Sequence, residues 1–200
     1  MNICIAIIYH PSEEKQTKIL AKYYESILPT FTFACDFQKA PEHKWRNDVL
    51  DTLMDDFRYV IFLDSDEVIL RKDFEVILNR IISGDFSVLA SRIHYYLSPD
   101  TVQDPQPPYC PSIVLDTTEV KFKELRNIEG LPNCKGIREV LPIDLHHLYY
   151  KNREWKLSEF KKRGILADGE NGTEDAGLLS KPSIKIDVPD EVREIQKLWP

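Results

Sequence analysis

Within the first 97 residues, apolar runs of strand length alternate with stretches of helical periodicity, and this alternation constrains the fold most. Asn2–Tyr9 (NICIAIIY) is a continuous β-branched and apolar run, as a strand covered on both faces requires. Pro11-Ser12 opens a helix, with Ser12 placed to cap it and Glu13 and Glu14 in its first turn. Ile19, Leu20, Tyr23, Tyr24 and Ile27 form its apolar face, and Pro29 ends it. A second strand is predicted over Thr30–Phe37, a second helix over His43–Asp56 and a third strand over Tyr59–Leu63. The second helix turns Trp45, Val49, Leu50, Leu53 and Met54 to one side. Asp73 caps a third helix, with Phe74, Ile77, Leu78 and Ile81 inward and Gly84 past its end, and Phe86–Leu97 is a fourth strand. The order βαβαβαβ predicts an α/β fold with a mainly parallel central sheet and helices on both faces.

The 200 residues are 42% hydrophobic, enough for one sizeable core, so residues 1–200 are read as a single domain. A net charge of -7 argues against a nucleic-acid partner, since phosphate backbones require a basic field. No stretch approaches the roughly 20 apolar residues of a membrane span, and MNICIAIIYH lacks the marks of a signal peptide. A soluble, cytoplasmic protein is expected, in the host cytoplasm if the chain is viral. The four cysteines show no metal-binding spacing; Cys4 and Cys35 read as buried thiols, while Cys110 and Cys134 are close enough in character to bridge in an oxidising cell or a hyperthermophile.

The second half is less regular. Ser98–Pro111 is a proline-rich loop, Ser112–Val120 and Ile143–Tyr150 read as strands, and Asn152–Arg163 as a basic helix. That helix suits an anionic donor or a peripheral membrane contact, or is simply a solvated face. Residues 166–177 are turn-rich, and residues 166–200 read as a tail packing on the domain.

In Tyr59–Leu70 (YVIFLDSDEVIL), three carboxylates, Asp64, Asp66 and Glu67, leave the end of a buried run. Carboxylates so crowded repel one another unless they fan into water or share a cation. An Asp-x-Asp turn lets two of them reach one hard ion, Mg²⁺ or Mn²⁺, that keeps positions open for phosphate oxygens. In parallel α/β sheets ligands bind beyond the carboxyl ends of the strands, where Asp64, Asp66, His10 and Asp36 all fall.

The segment HKWRNDVLDTLMDDFRYVIFLDSDE resembles family-2-like glycosyltransferases of the GT-A fold, a Rossmann-type sandwich. The matching residues are Arg46 and Asn47 opening a helix, then Leu63, Asp64, Asp66 and Glu67 at the end of a strand. The likeness is specific over 46–67, reasonable in pattern over 1–97 and loose beyond, and the length suits small one-domain members, including those of viruses of hyperthermophilic archaea. It implies a metal-dependent transfer of a sugar from a nucleoside-diphosphate sugar, UDP- or GDP-linked, to a hydroxyl of a glycan, protein or lipid-linked acceptor. Residues 1–97 would be the nucleotide-binding half and 98–165 the acceptor half. Tyr9, His10 and Asp36 would receive the base, Arg46 and Asn47 face the nucleotide, Asp64 and Ser65 approach the ribose side, and Asp66, with Asp64, the Mn²⁺ or Mg²⁺. The bland alternatives are a surface salt bridge for Arg46, a helix cap for Asn47 and a strand-end turn for Asp36.

Relatives also carry a late-strand histidine on the metal, here His146 or His147; neighbours on a strand face opposite ways, so at most one serves. Inverting transfer, which the resemblance implies, needs a carboxylate base; Glu139, Asp144 and Asp175, the last within a Glu174-Asp175 pair, are the candidates, each by itself more readily read as an exposed acid. FLDSDEV also fits the first motif of haloacid-dehalogenase-like phosphatases, with Asp64 as nucleophile, but that strand normally comes first in such folds. A sugar nucleotidyltransferase lacks support without a Gly-rich phosphate loop, and a non-catalytic metal- or carbohydrate-binding module is the remaining alternative.

Overall fold

The computed structural model describes residues 2–35, 40–104, 112–123, 131–133, 136–148 and 182–199. The core is a mixed sheet. Strands β1 (Ile3–Tyr9), β2 (Thr30–Ala34) and β3 (Tyr59–Asp64) are parallel, with β1 between the other two. β7 (Ser112–Asp116) runs antiparallel between β3 and β5 (Val88–Ser98), so β5 points the same way as β3. β10 (Arg138–His147) lies parallel to β5, and the short β4 (Glu67–Ile69) pairs antiparallel with the end of β10. Beyond β5, β6 (Thr101–Gln103) and β11 (Ser183–Lys185) extend the sheet, while β8 (Lys121–Lys123) and β9 (Leu131–Asn133) form a separate ribbon.

Alternation along the strands builds two cores. Ile3, Ile5 and Ile7 of β1, with Ile61 and Leu63 of β3, pack with Leu20 and Tyr24 of α1 (Glu14–Glu25), Phe74 and Ile77 of α3 (Arg71–Ser83) and Val192 and Ile195 of α4 (Asp190–Leu198). Cys4, Ala6 and Ile8, with Val60 and Phe62, pack with Val49, Leu50 and Leu53 of α2 (Glu42–Leu53) and with Phe122 of β8. Burial on both faces is why these strands read as unbroken apolar runs. It also makes Cys4 inert, its thiol pushed up to about 12 by burial, and Cys35 is buried too.

The first half follows the expected order, with differences at its edges. The first helix begins as a 3-10 turn, Pro11–Glu13, capped by His10, whose ring Nδ1 accepts from the Ser12 backbone N–H; Ser12 is not the cap. α3 starts after Leu70, with Asp73 inside its first turn, and Gly84 ends it at φ +71, where glycine carries no Cβ penalty. β2 stops at Ala34. Beyond residue 97 the departures grow: β10 starts at Arg138 rather than Ile143, and a register shift between Val140 and Asp144 accommodates Pro142 within it. The Cys110–Cys134 bridge, the helix over 152–163 and the turn-rich segment over 166–177 lie outside the described residues.

Candidate functional site

The carboxyl ends of β1, β3 and β10 meet at one edge of the sheet. β3 delivers Asp64 opposite Ile8 of β1, and the chain then turns through Ser65 and Asp66 into β4. Since β4 pairs with β10, Glu67 lies across from His147, and Leu148 N–H donates to the Asp66 carbonyl at 2.8 Å. The acidic turn is thereby stitched to a strand some 80 residues later in the chain.

Asp66 is 1% exposed, and its Oδ1 stands 3.7 Å from His147 Nε2. That is too long for a hydrogen bond, yet within the roughly 4 Å that two ligands of one small divalent cation can span. His147 also packs against Tyr95, its cross-strand partner, at 4.6 Å between rings. His146 faces the other way. Its Nδ1 is 3.0 Å from Tyr96 Oη, and its ring stacks on His94 at 5.6 Å. Burial, then the neighbouring His94, holds its pKa down to about 4, so it stays neutral at physiological pH. Of the two candidate metal histidines, only His147 stands beside the acidic turn.

Asp64 has a different partner. Arg46 Nη2 reaches its Oδ1 at 2.9 Å, a half-buried ion pair rather than a surface one, since the Arg46 side chain is only 14% exposed. Glu67 supports the turn: its Oε2 accepts the Asp64 backbone N–H at 2.8 Å. Burial, followed by repulsion from Asp64, raises its carboxyl well above the ordinary range, against the opposing pull of that hydrogen bond and of Arg46. A fourth carboxylate went unseen in the sequence. Glu13, buried at the start of the first helix, accepts Ser65 Oγ–H at 2.8 Å and the His10 backbone N–H at 3.0 Å through one oxygen. It ties the end of β1 to the acidic turn. Its place in a helix first turn gave it an adequate local explanation, so nothing in the sequence marked it out.

The remaining expected site residues divide. Tyr9 and His10 lie half-buried at the end of β1, where Glu13 links His10 to the turn; the His10 ring itself is engaged with Ser12 at 2.8 Å. The Asn47 amide is engaged with β8: Nδ2 donates to Phe122 O at 3.0 Å and Oδ1 accepts Phe122 N–H at 2.8 Å. It does not cap α2, which begins five residues earlier at Glu42. Glu139 is removed from the site, because it lies at the amino end of β10, seven residues before His146, ion-paired with Arg80 at 2.8 Å. Asp144 is on the His146 side of the strand, held by Arg92 Nε at 2.9 Å and His94 Nε2 at 3.3 Å. The His94 hydrogen bond is the main cause of its lowered pKa. Asp36 and Asp175 lie outside the described residues.

Four carboxylates, Glu13, Asp64, Asp66 and Glu67, thus surround one turn, and Arg46 offsets one of them. Oxygen donors with one imidazole form a set that suits Mg²⁺ or Mn²⁺. Among the described residues no three such side chains close into a complete metal site, so the pair Asp66–His147 would leave most of the ion's positions to a ligand.

No protein-family model and no curated protein matches the chain. Among solved structures, A197 from STIV is similar over 74% of this chain and 86% of its own, with a TM-score of 0.50 and 15% identity. S. aureus TarS (residues 1–349) follows at 85% and 67% coverage, TM-score 0.47 and 13% identity. A glycosyltransferase involved in the glycosylation of the major capsid of PBCV-1 covers 99% and 98%, with TM-score 0.41 and 9% identity.

Proposed function

We infer that the fold shared with A197 is a GT-A-like α/β sandwich around a mixed central sheet. We propose that the chain is a nucleotide-sugar-dependent glycosyltransferase whose donor diphosphate binds a divalent cation at Asp66 and His147. The observation that carries this is the approach of His147 Nε2 to the buried Asp66 carboxylate at 3.7 Å, at the strand ends where such sheets bind ligands. When bound, Mn²⁺ or Mg²⁺ would neutralise the diphosphate and so favour its departure as a leaving group. The chain's own residues do the rest. Arg46 orients Asp64, which is given to the ribose, while Glu13 and Glu67 fix the turn through Ser65 Oγ and the Asp64 N–H. Tyr9, His10 and Asp36 stand for the base-binding edge.

Inverting transfer needs a carboxylate to take the acceptor hydroxyl's proton. Glu139 is committed to Arg80, and Asp144 to Arg92 and His94, so this reading gives the role to Asp175. The acceptor is a hydroxyl of a glycan, protein or lipid-linked molecule. No helix among the described residues is long and apolar enough to cross a membrane. The phosphatase alternative is disfavoured, because its nucleophile would be the Asp64 carboxylate that Arg46 engages and its strand is the third here, not the first.

Calorimetric titration with UDP and GDP, with and without Mn²⁺, tests the proposal. Binding only in the presence of metal, abolished together with donor hydrolysis in Asp66→Ala, is the expected outcome. Binding that ignores the metal, or none with either nucleotide, would contradict it, and phosphate trapped covalently on Asp64 would restore the phosphatase.

A further inference from the structure

β8 lies outside the central sheet, more than 50 residues beyond the acidic turn, yet it reaches the site. The Asn47 side chain holds it. By donating to Phe122 O at 3.0 Å and accepting Phe122 N–H at 2.8 Å, the amide pairs with this residue much as a neighbouring strand would. Lys121 Nζ bonds Asp51 Oδ1 one turn further along α2. Anchored this way, Phe122 buries its ring to 7% exposure, 5.7 Å from Phe62 and tilted by 58° to it.

The two rings form an aromatic corner, and the Arg46 guanidinium fills it. Its Cζ lies 5.2 Å from the Phe62 centroid and 5.5 Å from that of Phe122, and its Nη2 reaches Asp64 at 2.9 Å. Asn47 and Arg46 are consecutive in sequence: the first holds the strand whose ring holds the second. An arginine side chain has many rotamers, and fixing it beside one carboxylate costs entropy that the two ring faces offset.

We infer that Phe122 and Asn47 are positioning residues of the donor site. They keep Arg46 in the aromatic corner from which it orients Asp64. This rests on the donor-site reading above. Without the Phe122 ring, Arg46 regains its rotamers and Asp64 loses its fixed direction. The contacts run from Asn47 through Phe122 and Arg46 to Asp64, so the Asp66–His147 side is expected to stay as it was.

The test uses Phe122→Leu, which keeps apolar bulk and removes the ring face, Phe122→Tyr, which keeps the face, and Asn47→Ala, which releases the strand. Each variant is titrated with Mn²⁺ alone, and then with UDP and GDP in saturating Mn²⁺. Phe122→Leu and Asn47→Ala are expected to bind Mn²⁺ within about twofold of wild type but nucleotide about tenfold more weakly, with Phe122→Tyr close to wild type. Should Asn47→Ala fail to fold, the two Phe122 variants decide alone. Equal losses of metal and nucleotide, or a Tyr variant as weak as the Leu variant, would mean packing only and overturn the role. Unchanged nucleotide affinity in Phe122→Leu overturns it while leaving the donor site standing. A wild type that binds neither nucleotide overturns the donor site and this role with it.

Discussion

The two sides of the end of β10 use the same residue types to opposite ends. On one side Arg92 and His94 hold Asp144, and Tyr96 meets the buried His146 imidazole. On the other side, one residue along, His147 stands 3.7 Å from Asp66 in a turn that gathers several carboxyl groups. In the first cluster the one acid is paired with an arginine. The second gathers Asp64, Asp66 and Glu67 about one turn, a donor set to which the proposed cation would bind. What separates a structural histidine from a candidate ligand here is not its own burial, since His146 and His147 are 4% and 6% exposed, but what it stands beside, Tyr96 and His94 for the first and the acidic turn for the second.

The sharpest way to break this comparison is to remove an acid from each side. Asp66→Ala is expected to weaken Mn²⁺ binding by about 100-fold or more, whereas Asp144→Ala leaves it within about threefold, as read by calorimetry. Similar losses in both would erase the distinction. Removing the histidines comes next. His147→Ala should weaken Mn²⁺ binding about tenfold or more with a small effect on folding, while His146→Ala should spare metal affinity and cost about 2 kcal/mol in urea unfolding.

A pH series sharpens the same point. His146 titrates near 4 in the folded chain against an ordinary 6.5, so the unfolded chain takes up a proton that the folded one refuses. Stability therefore falls as pH drops below about 6.5 and levels near 4, by up to about 3 kcal/mol in total from this group. The difference between wild type and His146→Gln across that window isolates it, and identical pH profiles would refute the assignment. The smallest effect is expected for Tyr96→Phe, about 1 kcal/mol of stability from the lost hydroxyl contact, with metal binding untouched.

Much of residues 1–97 was legible because its physics is local. β1 and β3 are apolar without interruption since helices cover both faces, and the third helix shows its face through Phe74, Ile77 and Ile81. β7 gave no sign of its place between β3 and β5, because its pairing partners are remote in sequence. β10 was misread at its start, since Pro142 looks like a break and the register shift that tolerates it is a tertiary feature. The site divided in the same manner. Asp64 and Asp66 are marked by leaving a buried run, and the alternation of His146 and His147 was clear, but which one faced the turn depended on the β4–β10 pairing. Glu13, Asn47 and Phe122 act through contacts across the fold, while each has an ordinary local explanation in a first turn, a helix or a short apolar segment.

The central claim is that one imidazole, that of His147, belongs to the metal. Electron spin echo spectroscopy of Mn²⁺ added to the protein reads this directly, through the coupling of a bound imidazole nitrogen to the ion. One such nitrogen is expected in the wild type and in His146→Ala, and none in His147→Ala. Coupling that survives in His147→Ala, or vanishes in His146→Ala, would contradict the account.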